Sequence, residues 1–171
     1  MRLPRSAILI VVLLAALLLS GCGFHLRRSA VLLPTMQRMV VRVNRDSALR
    51  RGLALALRAS GVHLADAPGP GIAVLNVPVA RFQTRALAAT GFARVGEYSV
   101  LYHVVFEVQG PQGKVLLPRE SVDMRRSYTF DRTQVIGSPA EQEVIRKSLI
   151  QDMVQAILLR LQAFSSGSHQ D

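Results

Sequence analysis

The chain carries one cysteine, Cys22, among its 171 residues, and a cysteine thiolate is the most nucleophilic group it can offer. With no second cysteine present, a disulfide is excluded. The small residues of Leu19-Ser20-Gly21 suit a peptidase cut just before that thiol. The four histidines, His25, His63, His103 and His169, are not spaced as a helical metal pair, and no acid–histidine cluster has metal-ligand spacing. Glu141 and Glu143 open a helix, where the macrodipole alone accounts for them. The chain has no Gly-x-Ser-x-Gly elbow, no phosphate loop and no dinucleotide fingerprint. A paired-carboxylate hydrolase would have to assemble its acids from distant positions, so the expectation is a protein that is not an enzyme. What remains is arginine. Nineteen of the 21 basic residues are Arg, whose planar fork binds phosphate and carboxylate in a bidentate manner.

The segment ahead of Cys22 explains how a chain of net charge +10 can be half apolar. Arg2 and Arg5 precede Ala7 to Leu19, thirteen residues without a polar side chain. A bilayer-spanning helix needs about 20 apolar residues, whereas a signal-peptide core needs fewer. Leu19-Ser20-Gly21-Cys22 resembles the bacterial lipobox. In that motif the cysteine is diacylated through sulfur, the signal is removed and the new amino group is acylated. We therefore expect residues 1–21 to be a cleaved lipoprotein signal, with a diacylglycerol and an N-acyl lipid on Cys22 and no other cofactor. Gly23 stands where an aspartate would retain the protein at the inner membrane, which implies release to the outer membrane. Removing the signal leaves 150 residues and a net charge of +8, enough for a single domain with its own core.

The elements that must position these groups are legible from period. Residues 22–38 have no clean repeat and read as a lipidated N-terminus and tether. Met39-Val40-Val41-Arg42-Val43 is a short β-branched strand. A helix is predicted from Asp46 to Ser60, with Leu49, Leu53 and Leu57 on one face and Gly61 ending it. Ile72 to Arg85 reads as a strand in which Pro78 requires an edge or a bulge. Glu97 to Gln109 alternates cleanly. Tyr98, Val100, Tyr102, Val104, Phe106 and Val108 take one face, opposite Glu97, Ser99, His103, Glu107 and Gln109. Arg119 to Asp131 alternates again, except that Arg126 interrupts its apolar face and must pair or snorkel. Ser138-Pro139-Ala140-Glu141 then opens a long helix whose stripe runs from Ile145 through Leu149, Met153, Ile157 and Leu161 to Phe164. Residues 165–171 read as a disordered tail.

The expected fold is α+β in the order β-α-β-β-β-α, a two-layer sandwich of residues 39–164. Two helices lie on one face of a four-stranded mixed sheet whose other face is polar. In that topology the turn after the second strand and the segment after the fourth share one sheet end. Arg85, Arg94 and Arg132 collect there. The parallel first strand finishes there too, adding Arg45, and the last helix directs its positive N-terminus that way. This end is the expected meeting point with anionic groups. Nucleic acid is excluded as the anion because the chain is exported, has no Trp and lacks clustered basic runs.

Cys22-Gly23-Phe24-His25-Leu26-Arg27 resembles the start of the LptE (RlpB) family of lipopolysaccharide-assembly lipoproteins. The likeness continues through Leu33-Pro34-Thr35-Met36, Ala59-Ser60-Gly61-Val62, Glu97-Tyr98 and Arg126-Ser127-Tyr128-Thr129-Phe130-Asp131 to the last helix. The resemblance implies an outer-membrane lipoprotein on the periplasmic side that binds lipopolysaccharide and plugs a β-barrel partner, LptD. It would assist that barrel's folding and help deliver lipopolysaccharide to the outer leaflet. Basic loop residues would touch the lipid; because residues 133–139 lack Lys and Arg, Arg132 would have to serve there. Two other readings stay open at this level: an auxiliary scaffold lipoprotein of another envelope complex, and a lipid-anchored hydrolase.

Overall fold

Residues 32–89, 95–131 and 138–167 are described by the structure, a computed structural model. The β-branched run forms β1 over Arg38–Val43. The chain then turns at Asn44–Asp46 into helix α1, Ser47–Ala59. Asp46 caps α1: its Oδ1 accepts from the Leu49 amide at 2.9 Å, satisfying one of the free donors of the first turn. The Leu49, Leu53, Leu57 stripe is buried. Gly61 ends the helix at φ 85°, while the Val62 amide reaches the Leu57 carbonyl and the Gly61 amide reaches that of Arg58. This is the Schellman arrangement, which needs a left-handed residue.

A two-residue strand β2, His63–Leu64, follows, and then β3 (Ala73–Ala89), β4 (Val95–Gln109), β5 (Val115–Asp131) and helix α2 (Ser138–Gly167). The sheet order is β2-β1-β3-β4-β5. β1 runs parallel to both its neighbours, and β3, β4 and β5 form an antiparallel meander. The α+β class with two helices over a mixed sheet is as expected; the fifth strand is the difference. His63–Leu64 is too short to show alternation, and it exists because the Gly61 turn lays it beside Arg38 and Met39.

Pro78 lies in a bulge. The β3–β4 register passes from Asn76↔Glu107 to Val79↔Val105, so Val77 and Pro78 together oppose Phe106. The extra residue inverts the phase of β3. Ala73, Leu75 and Val77 face the core before it, and Ala80 and Phe82 pack against the core after it. On β4, Val100, Tyr102, Val104, Phe106 and Val108 are all buried, as their alternation required. Arg126 pairs with Asp152 of α2 at 2.7 Å, and Glu120 on the same side pairs with Arg160 at 3.1 Å. These pairs explain charges on a strand face otherwise turned to the helices.

Both ends of the domain are better packed than the sequence suggested. The tether assigned to residues 22–38 ends early: Leu32 (3% exposed) and Met36 (0%) are core residues around a 3-10 turn at Pro34–Met36. The Leu33 amide donates to Ser165 Oγ at 3.1 Å. Of the tail expected at residues 165–171, residues 168–171 lie outside the described residues, whereas the first three belong to α2, which continues to Gly167, and Ser165 is 1% exposed. Its hydroxyl is satisfied by the Leu161 carbonyl at 2.8 Å, so a polar residue is buried there at little cost. Neither contact leaves a periodic signature.

The helices cross at Gly52. A Cβ there would lie 2.8 Å from Val154 Cγ2, a side chain stiff at χ1. Gly52→Ala is expected to lower stability by about 1 kcal/mol, because overpacking outweighs the helix-propensity gain. Urea denaturation of the single variant and of its Val154→Ala double should show the loss and its recovery. A Gly52→Ala variant more stable than wild type would contradict the close crossing.

Candidate functional site

The anionic-contact site expected at one sheet end is only partly assembled. Arg94 and Arg132 lie outside the described residues. Arg45 does not join Arg85. β1 ends with Val43 opposite Val77, and Arg85 stands eight residues further along β3. At about 3.3 Å per residue that is roughly 26 Å. Topology correctly orders the strand ends, but β1 has 6 residues and β3 has 17, so parallel strands that start together finish far apart. Arg45 sits instead in the turn before α1 at φ 62°, a left-handed conformation costly for a non-glycine. That turn is held by the Asn44 amide on the Val77 carbonyl at 3.0 Å and by Asn44 Nδ2 on the Pro78 carbonyl at 3.3 Å. Beside it opens a groove of about 440 Å³ lined by Arg42, Asn44, Arg50, Asp66 and Asn76.

Arg85 belongs to the polar sheet face, opposite the helices. The registers place three rows across β3, β4 and β5 there: Arg81–His103–Asp123, Gln83–Leu101–Arg125 and Arg85–Ser99–Ser127. Arg81, Arg85 and Arg125 thus surround Leu101. From strand spacing the Cα atoms of Arg85 and Arg125 are about 12 Å apart, within reach of one ligand for two side chains of this length. Two acids on this face, Glu107 and Asp123, are already engaged, whereas Glu97 is exposed two residues along β4 from Ser99. Glu107 accepts from Asn76 Nδ2 at 2.9 Å and from Arg119 Nε at 3.2 Å, and Asp123 meets His103 Nδ1 at 2.7 Å. The Asn76 amide first, and then Arg119, hold the Glu107 carboxyl below its ordinary value. Among the described residues, Arg81, Arg85 and Arg125 form no ion pair; Arg85 only reaches Gln83 Oε1 at 3.5 Å.

Ser99 lies between Arg85 and Ser127. It is 4% exposed, and its hydroxyl has no hydrogen-bond partner among the described residues. A buried unpaired hydroxyl carries a desolvation cost that a hydrogen-bonding ligand would remove. Alternation along β4 puts Ser99 on this face, but no local pattern singles out Ser99, Arg81 or Arg125. Period-2 alternation carried their face, whereas their adjacency needed the strand registers.

Among the described residues no group of three or more His, Cys, Asp or Glu is placed to hold a metal ion. No described helix is long and apolar enough to cross a membrane.

Solved structures that share this fold include three bacterial lipoproteins. The solution structure of an uncharacterized lipoprotein B from Nitrosomonas europaea has a TM-score of 0.71 at 23% identity, covering 84% of this chain and 93% of that one. The rare lipoprotein B of Shewanella oneidensis has a TM-score of 0.66 at 20% identity, covering 77% and 98%. A minor lipoprotein from Acinetobacter baumannii has a TM-score of 0.64 at 20% identity, covering 75% and 92%. No curated protein sequence matches the chain. The LptE family, described as lipopolysaccharide-assembly, matches residues 36–161, which span the domain from Met36 through most of α2, and the chain belongs to that family.

Proposed function

We propose that this protein is an outer-membrane lipoprotein, anchored through acyl groups on Cys22, that binds lipopolysaccharide and plugs the β-barrel LptD. LptE-family lipoproteins are non-enzymatic and act in lipopolysaccharide assembly within the cell envelope. The observation that carries the lipid contact is the group Arg81, Arg85 and Arg125, without an ion pair among the described residues, beside the Ser99 hydroxyl that has no hydrogen-bond partner among them. Lipid A phosphates are anions suited to bidentate arginine and to a hydroxyl donor. Arg94 and Arg132 lie outside the described residues and belong to the proposed contact through the strand order alone. A polar sheet face also matches the polar lumen of a large barrel. The work done is competition with lipopolysaccharide self-association, together with support for the barrel folding around the plug.

Arg85→Glu with Arg125→Glu is expected to weaken binding to immobilised lipopolysaccharide by about tenfold to a hundredfold. Adding Arg94→Glu and Arg132→Glu should weaken it further. Arg50→Glu with Arg58→Glu on α1 should leave binding near wild type. Equal losses from the two pairs would reject the site.

A further inference from the structure

For most of its length β3 is paired on one side only. β1 stops opposite Val77 and leaves for α1, whereas β3 continues to Ala89 with β4 on its other side throughout. Beyond Val77, no strand among the described residues occupies the outer edge of β3. Among the described residues, the lane that β1 vacates leaves alternating backbone donors and acceptors from Val79 to Leu87 without a strand partner.

Free edges are usually blunted by lysine, proline, bulges or charges turned toward the core side. The Pro78 bulge lies ahead of this stretch and a second register shift falls at its far end, at Leu87, but Val79–Ala86 between them pairs with β4 without a shift and contains neither lysine nor proline. Its helix-side positions, Ala80, Phe82, Thr84 and Ala86, are uncharged. The opposite edge, β5, is treated differently. It contains Pro118 and register shifts near its start, and it carries Glu120 and Arg126 on the helix side. Beside the β3 edge a wall is already built: Phe82 stacks on Tyr102 with ring centroids 4.0 Å apart, and Arg146 lies 5.1 Å over Phe82.

We propose that this edge receives an added strand from a partner protein, laid along Ala80–Leu87. The strand would carry carboxylates on the side of Arg81 and Arg85 and small or apolar residues on the side of Phe82 and Thr84. Charge selects this occupant over two others. The chain's own residues 23–31 contain His25, Arg27 and Arg28 and no acid. A second copy paired antiparallel about Gln83 would set Arg81 against Arg85 twice, and like charges directly opposite are destabilising.

The test uses the full lipidated chain in detergent, with amide hydrogen exchange read by segment. A peptide of alternating Glu and Val should slow exchange across residues 79–87 by about tenfold, and its Lys-Val counterpart should not. Arg81→Glu with Arg85→Glu should invert that preference. Arg125→Glu, two strands from the edge, should leave the peptide effect intact while weakening lipopolysaccharide binding, so the two readings fail separately. Unchanged exchange in β4 verifies that each variant is folded. Equal protection of the β5 edge, or an uninverted preference in the swapped variant, overturns the proposal. So does an edge already protected without peptide, whether by the N-terminal segment or, if the protection depends on protein concentration, by a second copy.

Discussion

Asp46→Ala is expected to destabilise the domain by about 2–4 kcal/mol, because one carboxylate does two jobs. Its Oδ1 caps α1 through the Leu49 amide at 2.9 Å, and its Oδ2 accepts the Tyr102 hydroxyl at 2.8 Å. Loss of the cap costs about 1 kcal/mol, and leaving a fully buried phenol unpaired costs about 1–3 kcal/mol more. Urea denaturation of Asp46→Ala, Tyr102→Phe and the double variant separates the two. In the Tyr102→Phe background, Asp46→Ala should cost only the cap. A full-sized loss there would mean that the hydrogen bond contributes nothing.

The same contact predicts alkaline behaviour. Burial first, and then the Asp46 carboxylate, pushes the Tyr102 phenol well above its ordinary value near 10. The native state thus keeps the phenol neutral where the unfolded chain ionises it. Its contribution is complete below a pH of about 10 and is lost progressively as the pH rises beyond that value. Stability measured across that range should fall less steeply in Tyr102→Phe than in the wild type. Parallel curves would show that Tyr102 is not the group responsible.

Cys22→Ala is expected either to block removal of residues 1–21 or, where the chain matures, to abolish its attachment to phospholipid vesicles. Each buried acyl methylene contributes about 0.8 kcal/mol, so two or three chains hold a protein almost irreversibly. No described helix offers a substitute anchor. Mass analysis of the wild type should find a mature chain beginning at Cys22 and carrying lipid, and vesicle flotation should lose the variant. Purified vesicles are the decisive setting, since a barrel partner would retain an unlipidated chain in cells. A mature Cys22→Ala chain that floats as the wild type does would reject the anchor.

Several features were readable from the chain because they depend on neighbours in sequence. The Leu49, Leu53, Leu57 stripe, the Gly61 stop and the apolar face of β4 each follow from local periods or backbone preference. Those periods also ordered the elements, from which the two-layer α+β arrangement with both helices on one face follows. The family likeness rested on Cys22–Arg27 and on short motifs from Leu33 to Asp131 and the last helix, and all but the first of these lie within or near the matched residues 36–161.

What tertiary structure alone decided concerns groups far apart in sequence. The difference in length between β1 and β3 separates Arg45 from Arg85 and, among the described residues, leaves the lane beside Val79–Leu87 without a strand. The bulge at Pro78 sets which residues after it face solvent, and so puts Arg81 and Arg85 on the polar face. Arg126 found Asp152, and Leu33 found Ser165, across gaps no local pattern encodes. Sequence period determines which side of a strand a residue takes. Strand register and strand length, set by long-range pairing and packing, determine which residues stand beside it.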